Sequence, residues 1–100
     1  MTESGDRNPD ASLDELVDRV HAELRATEEL PVEREASRWI GEAQAVAADA
    51  AGGGLEDDVV RERIVHVREL LDHVDGTGHD EADERVDRAR ELARTATEER

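Results

Sequence analysis

The chain has 100 residues, with 28 Asp and Glu against 13 Arg and no Lys, so its formal net charge is −15. The absence of Cys excludes disulfides, thiolate metal ligands and a thiol nucleophile, and no apolar run is long enough to cross a bilayer. We therefore expect a cytoplasmic protein without a membrane segment or a secretion signal.

The charge imbalance also bears on the solvent in which the chain folds. In dilute buffer a large net charge opposes the compact state by self-repulsion, whereas molar salt shortens the Debye length to about 3 Å. Arg binds a carboxylate through two parallel hydrogen bonds, which the ammonium group of Lys cannot do. We interpret the composition as an adaptation to high salt. An ordinary acidic protein and a disordered acidic tail are the alternatives.

Leu, Ile and Val together make up only 20 residues of this highly charged chain, a level at which a chain can stay unfolded. The spacing of the apolar residues therefore has to distinguish a folded chain from a disordered one. Residues 1–11 are polar, contain Pro9 and show no hydrophobic period, so we expect a flexible acidic tail. Beyond the tail, apolar residues recur at helical spacing. The pattern predicts a single helical domain at 12–98.

The first predicted helix begins with a capping box, in which Ser12 is followed three residues later by Glu15. It should fade near Thr27, because the position before Pro31 is unfavourable for a helix. Its apolar stripe has a spacing of four, three and four residues, widened by one neighbour. The stripe consists of Leu13, Val17, Val20 and Leu24, with Leu16 beside it.

The second predicted helix has Pro31 in its first turn and ends at the glycines Gly52, Gly53 and Gly54. A stripe of heptad spacing runs along it, and a parallel apolar row broadens that stripe. The stripe consists of Val32, Ala36, Trp39, Ala43, Val46 and Ala50, and the second row of Ile40, Ala47 and Ala51.

The third and fourth predicted helices differ in how apolar they are. The third has Asp57 and Asp58 in its first turn and stops at Gly76 and Gly78, whereas Asp80 is the expected cap of a weakly apolar fourth helix. The third stripe consists of Val60, Ile64, Val67, Leu71 and Val74, with Val59 and Leu70 on a second flank. The fourth consists of Ala82, Val86, Ala89, Ala93 and Ala96, with Leu92 beside it.

These stripes predict an all-α fold, an up-and-down bundle of about four helices. The single Trp either fills the core or anchors a partner, since Trp is enriched at interfaces. We predict a homodimer, or a subunit of a larger complex, joined through the apolar flanks of the second and third helices. The candidate interface residues are Trp39, Ile40, Val59 and Leu70.

Two histidines, His66 and His73, lie beside the stripe of the third helix and are candidate metal ligands. A di-iron bundle requires Glu three residues before each His, but Arg63 and Leu70 occupy those positions. A zinc site from His73, His79 and an acid is conceivable across the turn between them, although nothing specifies its geometry. We expect histidines at the boundary of a helical core, and no cofactor.

The sequence contains no motif for phosphate binding or for acyl transfer by a serine nucleophile. The consecutive glycines are not followed by Gly-Lys-Ser/Thr, and no Gly-x-Ser-x-Gly elbow occurs. Glu-x-x-Glu and Glu-x-x-Asp spacings pair carboxylates on one helix face, as a magnesium-dependent, all-α nucleotide pyrophosphohydrolase would require. Such spacings also arise by chance in a chain this acidic. The best interpretation is a non-catalytic interaction or structural module, with that enzyme and an antitoxin-like regulatory subunit as alternatives.

Nucleic-acid binding is disfavoured because the Arg residues are interleaved with acids and form no basic domain. At these intervals we expect ion-pair networks on the helix surfaces instead. The sequence indicates no small-molecule substrate.

Two runs of the sequence, LPVEREASRWIGEAQAVAADA and VVRERIVHVRELLDHVDGTGHDEADERVDRARELA, resemble a group of short, acidic, uncharacterised proteins from haloarchaea. The likeness covers about residues 12 to 96 and lies in the overall sequence and composition, without a catalytic or binding motif. It implies a helical fold and a cytoplasm rich in salt, and it supplies no activity.

Overall fold

The computed structural model describes residues 12–98, which form four α-helices and one short 3-10 turn. The helices are α1 (Leu13–Ala26), α2 (Arg34–Ala51), α3 (Asp57–Leu71) and α4 (Asp80–Glu98), and the 3-10 turn is Thr27–Glu29. Helix α1 packs against α2 and α4, and α3 packs against the same two helices. The predicted all-α, up-and-down bundle is therefore confirmed. The tail predicted at 1–11 lies outside the described residues.

Side-chain contacts between helix ends fix the antiparallel order. Trp39, near the start of α2, stacks on His73, just beyond the end of α3. Arg85, near the start of α4, pairs with Glu23, near the end of α1. Each helix thus runs against both of its neighbours, as short connections in a bundle favour.

The core contains the apolar stripes that the sequence predicts for α1, α3 and α4, except that Leu13 is half-buried at its edge. Burying a Val, Leu or Ile side chain contributes about 1.5–3 kcal/mol, and Ala contributes much less, so α1 and α3 supply most of the burial energy. The buried residues are Leu16, Val17, Val20 and Leu24 of α1, Val60, Ile64, Val67, Leu70 and Leu71 of α3, and Ala82, Val86, Ala89, Ala93 and Ala96 of α4.

Helix α2 is rotated relative to the predicted stripe. Ile40 and Ala47 lie in the core, whereas Trp39 and Val46 are half-buried and pack against its edge. Small side chains at Ala43 and Ala47 let neighbouring helices approach closely, and an indole on that line would hold them apart. Trp39 is therefore displaced to the flank of α2 that faces α3.

Helix α2 also begins later than the sequence predicts. Its N-cap is Glu33, whose backbone is extended, so Pro31 precedes the helix instead of lying in its first turn. The Glu33 N–H donates to the carbonyl of Thr77 at 2.8 Å, and the Val32 N–H donates to Leu30 at 2.9 Å. These two bonds hold the connection in a turn until Arg34, where the helix begins.

The predicted cap of α4 is displaced by one residue. Asp80 is the first helical residue, and His79 takes the capping role. The Asp83 N–H donates to the His79 carbonyl at 2.9 Å, and the Ala82 N–H donates to His79 Nδ1 at 3.4 Å. Asp80 instead contributes a negative charge in the first turn, where the helix dipole favours it.

Helix α3 ends at Leu71, earlier than the predicted stop at Gly76, and the buried Val74 lies in the turn that follows. The start of α1 and the end of α2 follow the sequence signals. Ser12 Oγ accepts the Glu15 N–H and Glu15 Oε1 accepts the Ser12 N–H, which completes the predicted capping box. Helix α2 ends at Ala51, after which Gly53 and Gly54 both have a φ of +82°. None of the described helices is both long enough and apolar enough to cross a membrane.

Candidate interaction surface

The most distinctive surface feature is an aromatic pair that joins α2 to the end of α3. The Trp39 indole and the His73 imidazole stack with ring centroids 4.0 Å apart and planes 12° from parallel. The Arg38 guanidinium carbon lies 5.3 Å from the Trp39 ring centroid, within the range of a cation–π contact. Trp39 is half-buried and His73 is exposed, so part of the stack faces solvent.

The stack sets the register of α2 against α3. Because both helices rise 1.5 Å per residue and run antiparallel, seven residues after Trp39 correspond to seven residues before His73. Val46 and His66 therefore lie at one level along the bundle. We name the outward side of these two helices the α2–α3 face. Its residues are Glu35, Trp39, Glu42, Val46 and Asp49 on α2, Val59, Glu62, Arg63, His66 and Glu69 on α3, and His73 just beyond the end of α3.

The four candidate interface residues fall into two pairs. Trp39 and Val59 are half-buried and retain surface on the α2–α3 face. Ile40 and Leu70 are only 3% and 8% exposed and belong to the core of the single chain, which leaves them little area for a partner. The predicted interface therefore rests on Trp39 and Val59, and the structure adds His73 as the stacking partner of Trp39. No local spacing signals that pair, because 34 residues separate the two rings.

Ion pairs join the opposite side of the bundle, between α1 and α4. Glu23 Oε1 lies 3.2 Å from Arg85 Nη1 and 3.6 Å from Arg88 Nη1, and Glu81 approaches Arg85 at 3.6 Å. The hydrogen bond to Glu23 raises the pKa of the Arg85 guanidinium above its usual value. The sequence predicts pairs within one helix, whereas the bonds to Glu23 are tertiary contacts that tie α4 to α1.

A second group of Arg residues lines an open groove of about 370 Å³ between α3 and α4. Arg90 Nη2 donates to the carbonyls of Leu71 and Val74 at 2.7 and 2.6 Å, and so covers the carboxyl end of α3. Arg68 Nη1 donates to Thr97 Oγ1 at 2.7 Å. Three carboxylates balance the three guanidinium groups, so the groove presents no excess positive charge. Its lining residues are Arg68, Asp72, Asp87, Arg90, Glu91 and Arg94.

A buried hydroxyl organises the turn between α3 and α4. Thr77 is fully buried, and Asp83 Oδ1 accepts both its N–H and its hydroxyl at 2.8 Å. The backbone bond from Thr77, followed by the bond from its hydroxyl, lowers the pKa of Asp83 below the ordinary value. The Thr77 carbonyl accepts from Glu33, so this turn also anchors the start of α2.

Metal binding gains no support from the described residues. Among residues 12–98, no three His, Asp or Glu side chains come close enough to hold one ion. His73 and His79, the conceivable zinc pair, have separate roles here: His73 stacks on Trp39, and His79 Nδ1 accepts a backbone N–H of α4. His66 lies exposed on α3.

The described residues thus define an antiparallel four-helix bundle whose most distinctive surface is a partly exposed aromatic stack. The chain belongs to the family described as Domain of unknown function (DUF8152), whose model matches residues 16–100. Comparison with curated proteins finds no match. Comparison with solved structures finds none either.

Proposed function

We propose that this protein is a small, salt-adapted helical module that binds another protein chain through the α2–α3 face and performs no chemistry. The observation that carries the proposal is the Trp39–His73 stack, which keeps an amphipathic aromatic group partly in solvent. Trp side chains in such positions are enriched among residues that dominate binding energy.

The acidic coat supports the salt-adapted part of the proposal. A formal net charge of −15 on 100 residues favours a cytoplasm rich in salt, as in the haloarchaeal proteins that the sequence resembles. In such a solvent long-range attraction is screened, so binding has to rely on apolar contact and close charge pairs. The α2–α3 face offers both. A homodimer and a subunit of a larger complex are the two assemblies that would use it.

The test compares three forms of the tagged chain: the wild type, Trp39→Ala, and Val65→Ala. Val65 is a matched control because it is apolar, 41% exposed and located on the other flank of α3. Binding partners are recovered from the native cell extract in about 2 M KCl, where only short-range contacts survive. Self-association is measured in the same buffer by sedimentation equilibrium.

We expect Trp39→Ala to lose a partner, or a dimer, that both the wild type and Val65→Ala retain. Circular dichroism verifies that the variants remain helical. Identical partners and identical masses for all three forms would overturn the proposal.

A further inference from the structure

Acidic side chains alternate with Trp39 and Val46 along the α2 row of the α2–α3 face, and with Val59 and two histidines along the α3 row. On α2 the order is Glu35, Trp39, Glu42, Val46, Asp49, with steps of four, three, four and three residues. On α3 the order is Val59, Glu62, His66, Glu69, His73, with steps of three, four, three and four. All five carboxylates are exposed. Each row spans about 21 Å at 1.5 Å per residue.

Charge complementarity selects the partner that fits this pattern. Five carboxylates lie on the face, whereas Arg63 is the one Arg among its residues and Arg38 lies beside Trp39. A second copy of the chain laid on the same face would bring five more carboxylates and only the few Arg groups of that face to pair with them, and like charges in contact are unfavourable. A partner with apolar residues at heptad spacing and basic residues between them would cover the apolar side chains of the face and pair with its carboxylates.

From these observations, and resting on the proposed function, we infer that the occupant of the α2–α3 face is a basic amphipathic helix of another protein. Its apolar residues recur every seven positions and fill the surface at Trp39 and Val46. Arg residues three or four positions from each of them reach the carboxylates of the two rows. Arg is favoured over Lys because its planar fork binds a carboxylate through two bonds and stacks on an indole.

The probe is a synthetic peptide of about 18 residues, long enough for a helix that covers the rows. It carries Leu every seventh residue and Arg three or four positions from each Leu. It contains no Trp, so that Trp39 is the sole reporter of fluorescence. A scrambled peptide of identical composition has no apolar stripe. Titrations in about 2 M KCl suppress non-specific attraction between a cationic peptide and an acidic protein.

We expect the striped peptide to change Trp39 fluorescence and to bind at least about tenfold more tightly than the scrambled peptide, a difference of about 1.4 kcal/mol. Replacing Glu42 and Glu69 by Gln should weaken binding about tenfold. Replacing Asp18 and Glu84, exposed acids of α1 and α4, by Asn and Gln should change it less than about twofold. Isothermal titration calorimetry supplies the affinities independently of the fluorescence change.

Equal binding of the two peptides, or equal effects of the two double variants, would overturn the inference. A dimer that Trp39→Ala dissociates, without selective peptide binding, would also overturn it, while leaving the α2–α3 face as a binding surface. The proposed function itself would be refuted by a different result, namely identical partners and identical masses for the wild type, Trp39→Ala and Val65→Ala. The two failures are therefore distinguishable.

Discussion

At position 78, in the turn before α4, both the backbone conformation and the available space require glycine. Its φ is +81°, and a Cβ built on it would lie 3.0 Å from Glu33 Cγ and 3.1 Å from a Glu33 carboxylate oxygen. A side chain there meets both backbone strain and the N-cap residue of α2. Gly76, two residues earlier, has open space at the same position.

We predict that Gly78→Ala lowers the free energy of unfolding by about 1–3 kcal/mol, the usual cost of forcing a non-glycine residue into a left-handed conformation. Gly76→Ala should change it by less than about 0.5 kcal/mol, as is usual for exposed positions. Urea denaturation in constant KCl measures both values. Equal effects would show that the contact with Glu33 does not constrain the turn.

Asp83 links the same turn to pH. Hydrogen bonds from Thr77 lower the pKa of the Asp83 carboxyl in the folded state below the ordinary 3.8. Folding therefore favours the ionised form, and the resulting stabilisation is present above about pH 4 and lost as pH falls through the lower, folded pKa. Protonation would occupy an oxygen that accepts from Thr77.

We predict that Asp83→Asn is less stable than the wild type near neutral pH and that the difference shrinks as pH falls below about 4. The measurement is urea denaturation across a pH series at constant ionic strength. Glu84→Gln removes the same charge from an exposed side chain without touching Thr77, and it serves as the control. A difference that is constant with pH would contradict the assigned role of the Asp83 carboxylate.

At the scale of elements, the sequence predicted four helices because their apolar stripes and end signals agree. It was less informative for α2, where the stripe that contains Trp39 and the row that contains Ile40 run side by side. The observed core takes Ala36, Ala43 and Ala50 from the stripe and Ile40 and Ala47 from the row. Both have helical spacing, so only the volumes of the neighbouring helices decide between them.

The candidate site was predictable only in part. Trp39 was identified as the single Trp within an Ala-rich stripe and Val59 as a flank of the third stripe, but the pairing of Trp39 with His73 depends on tertiary register. The same limit applies to His79, whose imidazole caps α4 although Asp80 is the stronger capping residue by type. Asp83 reaches back to Thr77, and that contact fixes the position of the turn.

Helix α4 is the helix whose packing depends most on the size of its buried side chains, because its buried face is almost entirely Ala. Ala93 is fully buried between neighbouring helices, whereas Ala48 is exposed on α2. We predict that Ala93→Leu lowers the free energy of unfolding by about 1–3 kcal/mol through overpacking. Ala48→Leu should be nearly neutral. Thermal denaturation followed by circular dichroism compares the two, and a neutral Ala93→Leu would show that α4 has room to move outward.

At the scale of the whole molecule, we expect the acidic surface to make stability depend on salt. With a formal net charge of −15, self-repulsion in dilute buffer should outweigh the attraction that screening removes from individual ion pairs. We predict that the melting temperature rises by at least about 5 °C between about 0.1 and 2 M KCl, roughly the effect of 1 kcal/mol in a domain of this size.

The control for this prediction reduces the charge itself. Replacing the exposed acids Asp18, Glu69 and Glu84 by their amides should stabilise the protein more at low salt than at high salt. A melting temperature independent of KCl, in the wild type and in the variant alike, would show that electrostatic repulsion does not limit this fold.

The Arg90 side chain bears on the order in which the helices fold during synthesis. The carbonyls of Leu71 and Val74, at and beyond the last turn of α3, are satisfied by a guanidinium group that is synthesised at least 16 positions later. Until that group emerges, the Val74 carbonyl lacks this donor, and the Leu71 carbonyl keeps only the Val74 N–H at 3.0 Å. We therefore expect a growing polypeptide to complete the hydrogen bonds of the turn after α3 only when its fourth helix docks.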